Sequence, residues 1–272
     1  MIDVCGDGIR FVDQGQGEPL ILLHGIGASL EWWEPNIPSL SRKYRVIAPD
    51  FLGFGLSDKP PVDYNLRLGI RFLSSLMDVL GLSRVSLAGN SMGGLIALAA
   101  AIEIPERIER LILVDNAGFQ RKVTPYLRLG TLPLLGEGAL CLRSRSTVRF
   151  FLSRIFYDRE KISDRLIDGV LTMFNDRRTR QVFLEVLRYG VGLGGFRRDI
   201  QEHITKGAAH LKQKTMIIWG TKDKVIPLEQ AVIGEKLIPR SCLFLIERCG
   251  HAPQLEWPEK FNRLVLDFME KP

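Results

Sequence analysis

Five residues, Gly89-Asn90-Ser91-Met92-Gly93, constrain this chain more than any other stretch. They satisfy G-x-S-x-G and lie between Val85-Ser86-Leu87-Ala88, a short run of strand length, and a small-residue run from Gly94 to Ile102 that reads as a helix. A serine at a tight strand-to-helix turn sits in a strained conformation that exposes its hydroxyl. Glycines two residues to either side remove Cβ atoms that would clash there. The helix that follows aims its N-terminus at the same place, where developing negative charge is favoured. The motif therefore asks for a strand-turn-helix context, and the rest of the chain supplies one.

Pro19-Leu20-Ile21-Leu22-Leu23 and Tyr44-Arg45-Val46-Ile47-Ala48 read as buried strands. Apolar residues at Leu66, Ile70, Leu73, Met77 and Leu80 have helical spacing, and Gly81 stands at the natural stop. Further strands are expected at Ile108 to Val114, Thr215 to Trp219 and Leu243 to Ile246, with a closing helix from about Pro258 to Met269. Strands alternating with helices predict an α/β fold with a mainly parallel sheet covered on both faces. From Gly118 to Lys206 the rhythm changes to helical patches such as Val148–Phe156, Leu166–Phe174 and Val182–Tyr189. The expected organisation is a core of residues 1–117 and 207–272 interrupted by a helical cap of residues 118–206.

Composition excludes several other classes. The chain has 272 residues, 46% hydrophobic and 25% charged, which suits one globular core and excludes a disordered or fibrous protein. The longest uncharged run, Val85 to Ile102, contains the Gly-rich turn and cannot be a membrane helix. No basic flank precedes an apolar stretch at Met1-Ile2-Asp3-Val4, so no signal peptide is expected. Cys5, Cys141, Cys242 and Cys249 are scattered, as in a reduced cytoplasmic protein. The net charge of +6 is local: residues 117–200 hold 16 Lys and Arg against 8 Asp and Glu, while the flanks are slightly acidic. With no nucleic-acid-binding module present, that charge does not predict a nucleic-acid partner. In Arg149-Phe150-Phe151-Leu152-Ser153-Arg154 it reads first as a two-faced helix, and second as contact with a membrane surface.

A serine hydroxyl needs a base. His251, in Cys249-Gly250-His251-Ala252-Pro253, follows the last expected strand, and Asp223 follows the one before it. The order Ser91, Asp223, His251, each beyond a strand's C-terminal end, suits a nucleophile, an orienting acid and a general base. Asp115 is a rival acid whose ordinary role would be capping the turn into Asn116-Ala117-Gly118. Asp50 is expected to tie down the Gly53–Gly55 loop, and His24 to shape the turn before Gly25. His203 and His210 have no partners at metal-ligand spacing. Gly190-Val191-Gly192-Leu193-Gly194-Gly195 matches GxGxxG formally but follows a helix, so it reads as a flexible cap hinge and not a dinucleotide site.

Taken with His24-Gly25-Ile26-Gly27 and Asp50-Phe51-Leu52-Gly53-Phe54-Gly55-Leu56-Ser57, these motifs resemble the α/β-hydrolase superfamily over nearly the whole chain. The resemblance implies the α/β-hydrolase fold, an oxyanion hole from the backbone N–H groups of Ile26 and Met92, and no cofactor or metal. Ser91 argues against haloalkane dehalogenases and epoxide hydrolases, which place Asp at the elbow. Two serine-based activities remain: a carboxylesterase or monoacylglycerol-lipase-like enzyme, and a meta-cleavage-product C–C hydrolase. Asn90 and Phe261-Asn262-Arg263-Leu264-Val265 resemble the latter. Those enzymes usually have Trp after the catalytic His, where this chain has Ala252, and a cap Arg where an ungapped alignment places Val170. On those departures the leading expectation is hydrolysis of an apolar carboxylic ester, with C–C hydrolysis as the alternative and a non-catalytic binding protein as the minor one.

Overall fold

The computed structural model describes residues 1–141 and 144–270. Its strands are β1 (Ile2–Val4), β2 (Asp7–Ile9), β3 (Phe11–Gln14), β4 (Pro19–Leu23), β5 (Arg45–Pro49), β6 (Val85–Asn90), β7 (Ile108–Val114), β8 (Val191–Gly192), β9 (Gly195–Phe196), β10 (Lys214–Gly220) and β11 (Ser241–Ile246). The helices are α1 (Ile37–Leu40), α2 (Leu66–Val79), α3 (Met92–Glu103), α4 (Pro125–Gly130), α5 (Leu135–Cys141), α6 (Arg145–Ile155), α7 (Asp164–Asn175), α8 (Arg177–Gly190), α9 (Arg198–Ala208), α10 (Glu229–Leu237), α11 (Pro253–Glu256) and α12 (Pro258–Glu270).

A seven-stranded sheet runs in the order β11-β10-β7-β6-β4-β5-β3. Every neighbouring pair is parallel except β3 with β5. From β4 the chain steps outward to β5, then returns to place β6 on the other side of β4. That reversal opens a crevice beyond the C-terminal ends of β4 and β6, the usual place for a ligand in an open α/β sheet.

Strand β4 is a continuous apolar run because both faces of the sheet are covered. In β4 the period of two divides the side chains: Ile21 and Leu23 enter the layer of α2 and α3, with Leu73, Met77 and Ala97. Leu20 and Leu22 enter the opposite layer, with Trp33, Phe261 and Val265. Helix α2 starts where Asn65 Oδ1 accepts a hydrogen bond from the Leu68 N–H at 2.9 Å, and ends before Gly81 at φ +68°. The buried alanines of α3 let that helix lie close against the sheet.

Between β7 and β10 the chain builds α4 to α9 and stands most of them over the crevice. Val148, Leu152 and Phe156 of this segment form a third apolar cluster with Ala28, Trp32 and Ala252 of the core loops. Helix α9 packs on α3, where Gly207 abuts Ile102 closely enough that a Cβ could not fit without movement. The glycine-rich stretch 190–195 is a closed two-stranded hairpin pairing Val191 with Phe196, and not the flexible hinge its composition suggests. The basic charge above it is partly compensated: Arg145 and Arg149 both pair with Asp164, at 2.7 and 3.0 Å. Among the described residues no helix is long and apolar enough to cross a membrane.

Candidate active site

Ser91 occupies the turn between β6 and α3 at φ +56° and ψ −114°, a conformation costly for a residue with a side chain. The turn is possible because glycines flank it. A Cβ on Gly93 would collide with the carbonyl of Leu23 on β4, and one on Gly89 with the backbone of Gly93. The Ser91 N–H donates to the Val114 carbonyl at 2.9 Å, and its own carbonyl accepts from Leu95 at 3.1 Å. The hydroxyl makes no capping bond to the helix and is left available.

His251 lies in the loop after β11, is 4% exposed, and places Nδ1 2.7 Å from Asp223 Oδ2. Asp223 Oδ1 accepts from the N–H groups of Val225 and Ile226 at 2.6 and 3.1 Å, so the carboxylate is aimed by its own turn. With Nδ1 donating to Asp223, Nε2 carries the lone pair, the tautomer a general base requires. Ser91 and His251 line the same cavity. By spacing alone Asp115, Asp223 and His251 could hold a cation, but His251 Nδ1 and both Asp223 oxygens are already engaged in hydrogen bonds.

Asn90 ties the turn to the histidine loop, its amide donating to the carbonyls of Val114 and His251 at 3.2 and 3.0 Å. Gly25, Ile26 and Met92 line the cavity beside Ser91. Met92 opens α3, where backbone N–H groups have no partner within the helix. The loop carrying Ile26 is braced by His24, whose Nε2 accepts from the Phe51 N–H at 3.0 Å while Nδ1 donates to the Gly25 carbonyl at 2.8 Å. Burial pushes the His24 pKa down, which keeps the ring in the neutral form those two bonds need. Asp50 accepts from the N–H groups of Leu30 and Leu56 at 2.7 and 2.8 Å and occupies the space a Cβ on Gly55 would need, as expected of a residue fixing that loop.

One sequence reading needs correction. Asp115 does not cap the turn that follows it; its Oδ1 accepts from the Gly220 N–H at 3.0 Å, which joins β7 to β10 beside Asp223. Burial first, then the nearby Asp223 charge, raise the Asp115 pKa well above the ordinary carboxyl range. His203 meets a single carboxylate, its Nε2 lying 3.2 Å from Glu103 Oε1 across α9 and α3, and belongs to no metal-ligating cluster among the described residues. Glu256, which no sequence signal marks, is fully buried behind His251. Its carboxylate accepts from the N–H groups of Gly250, Tyr157 and Asp158 at 2.6, 2.9 and 3.0 Å. The His251 N–H in turn donates to the Ile155 carbonyl at 2.7 Å. Residues 155–158, at the end of α6, are thus clasped to the histidine loop.

The chain belongs to the α/β-hydrolase fold family, whose profile matches residues 18–258. Within that family it is similar to 2-hydroxy-6-oxo-6-(2'-aminophenyl)hexa-2,4-dienoic acid hydrolase of Metapseudomonas resinovorans, at 32% identity over 99% of this chain and 90% of that one. It is also similar to 2-hydroxy-6-oxo-2,4-heptadienoate hydrolase of Pseudomonas putida, at 34% identity over 94% and 91%. Among solved structures, a meta-cleavage product hydrolase from Pseudomonas fluorescens IP01 superposes with a TM-score of 0.83, at 31% identity over 97% of this chain and 94% of that one.

These relatives overturn the leading expectation of carboxylic-ester hydrolysis and favour its alternative. Ala252 and Val170 bear on what grips the substrate, whereas the bond broken depends on where Ser91 and His251 meet a carbonyl. Ala252 is buried in the apolar cluster with Trp32 and Phe156, and Val170 faces the cavity. Neither touches the hydrogen bonds that aim Asp223 and His251.

Proposed function

We propose that this chain hydrolyses a C–C bond next to a ketone in a 2-hydroxy-6-oxo-2,4-diene framework, with Ser91 as nucleophile, His251 as general base and acid, and Asp223 as orienting acid. The observation that carries the reading is full-length similarity to hydrolases named for that framework, combined with a His251–Asp223 pair opening onto the cavity that Ser91 lines. Ketonisation of the dienol first places a proton on C5. Ser91 Oγ then attacks the C6 carbonyl while His251 Nε2 takes its proton, and the Met92 and Ile26 amides meet the developing oxyanion. As the C5–C6 bond breaks, its electron pair passes to C5 and is delocalised onto the 2-oxo group. Proton return gives the shorter dienol, and water releases the acyl group from Ser91 as a carboxylic acid. Residues 118–206 act as the cap that shapes the pocket.

The test is turnover of 2-hydroxy-6-oxo-6-phenylhexa-2,4-dienoate, read by loss of the dienolate chromophore and by benzoate in the products. Wild-type enzyme is expected to release both fragments and Ser91→Ala to release neither at a comparable rate. Equal rates from the two would remove Ser91 from the reaction.

A further inference from the structure

The cavity beyond Ser91 has a volume of about 620 Å³, in the range that encloses a drug-sized ligand. Its lining among the described residues contains no Lys, Arg, Asp or Glu, although the helices above it carry most of the chain's excess positive charge. Several of the described arginines there are engaged elsewhere. Arg145 and Arg149 pair with Asp164, Arg178 with Glu185 and Arg188 with Glu137, while the Arg154 guanidinium lies 4.9 Å from the centroid of the Phe150 ring. Several polar groups that do reach the cavity are already committed. The Asn90 amide holds two carbonyls, Asn65 caps α2, the Tyr64 hydroxyl donates to the Pro60 carbonyl at 2.9 Å, and Thr147 shares a hydrogen bond with Ser144 at 2.9 Å. A carboxylate drawn into this space would lose its hydration and meet no compensating cation among the described residues, whereas apolar surface would gain from burial.

We propose that the site takes an uncharged substrate: a vinylogous diketone in its dienol form, with bulky apolar groups at both ends and no free carboxylate. The proposal rests on the C–C cleavage reading above and specifies its substrate class. The reaction is R–CO–CH=CH–CH=C(OH)–R′ + H2O → R–COOH + CH2=CH–CH=C(OH)–R′, with R and R′ apolar. Water supplies the hydroxyl of the new acid and the hydrogen gained by C5, and no redox partner is needed. The acid becomes an anion once water frees it from Ser91, so the lining that admits the substrate disfavours the product that leaves.

The test compares two 6-phenyl-6-oxo-2,4-dien-2-ols that differ only at C2, one bearing a carboxylate and the other isopropyl, its uncharged isostere. The expected kcat/KM is at least about 10-fold higher for the isopropyl compound, and any lower ratio overturns the proposal. Val170→Arg, which places a cation in the lining, is expected to lower that ratio about 10-fold; an unchanged ratio also overturns it. If neither compound is cleaved while a fluorophosphonate still labels Ser91, the cleavage reading fails on its own. Calorimetric binding to Ser91→Ala then decides the charge question: tighter binding of the isopropyl compound upholds it, and equal or tighter binding of the carboxylate overturns it.

Discussion

Replacing Asp115 by asparagine separates charge from shape where two carboxyl groups are buried side by side. Asp115 is fully buried, the Asp223 side chain is fully buried, and their oxygens lie within 4.8 Å of one another and of His251. Two negative charges at that separation would repel by at least about 3 kcal/mol even at an effective dielectric constant near 20. Asp223 is held by two backbone N–H groups and His251, whereas Asp115 accepts from the Gly220 N–H and otherwise faces the Asp223 carboxylate, to which it can donate when protonated. The proton therefore resides on Asp115. Above roughly pH 4 the unfolded chain has released that proton while the folded chain keeps it, so stability falls as pH rises, by about 1.4 kcal/mol per pH unit until the folded group ionises. Glu256, whose pKa is also raised, chiefly by burial, adds a slope of the same sign, but it is common to both proteins and cancels in their difference. Asparagine tolerates the left-handed backbone at this position, φ +43°, and keeps an oxygen for Gly220. The Asp115→Asn protein should therefore gain on wild type by about 1.4 kcal/mol for each pH unit above roughly pH 4. Its kcat/KM at neutral pH should stay within about threefold of wild type, because asparagine keeps the shape and the Gly220 hydrogen bond and leaves the Asp223–His251 bond in place. Urea unfolding of both proteins at half-unit pH steps measures the first quantity. Parallel stability curves would refute the shared-proton argument.

Asp223→Asn should lower kcat by about 10⁴-fold, since the wrong histidine tautomer is then favoured, and steady-state kinetics beside Asp115→Asn will rank the two acids. Ser91→Ala should cost on the order of 10⁶ in kcat with little change in melting temperature, because the hydroxyl makes no hydrogen bond that caps the helix. Gly93→Ala forces a Cβ against the Leu23 carbonyl and should destabilise the fold by about 1–3 kcal/mol, measurable by chemical denaturation. Glu256→Gln turns an amide N–H toward buried backbone donors and should also cost about 1–3 kcal/mol, with a fall in kcat if the histidine loop shifts.

What could be seen in the residues was local or periodic. The Ser91 turn is dictated by the sterics of five consecutive positions, and β4 announces itself as an unbroken apolar run. Asp223 and His251 could be found because each follows a strand closely. The β1–β2 hairpin and the antiparallel edge strand β3 were not legible, since short polar segments such as Asp7-Gly8-Ile9 carry no alternation long enough to register. Nor was Glu256, whose three backbone donors come from segments about 6 and 100 residues away. The bond cleaved was misjudged because Ala252 and Val170 bear on the grip of the substrate and not on the hydrogen bonds that aim His251. Counting arginines in the 117–200 segment says nothing about their direction, and the fold turns most of those described onto acidic neighbours and carbonyls.

The clasp formed by Glu256 and the Ile155 carbonyl limits how this protein can be re-engineered. A designer who grafts a foreign lid onto the sheet, hoping to change what is admitted while keeping the chemistry, would cut the imidazole's own scaffold. Chimaeras should therefore be spliced so that backbone 155–158 stays with the parent, and recipients that lack an equivalent acid behind the histidine would need one installed.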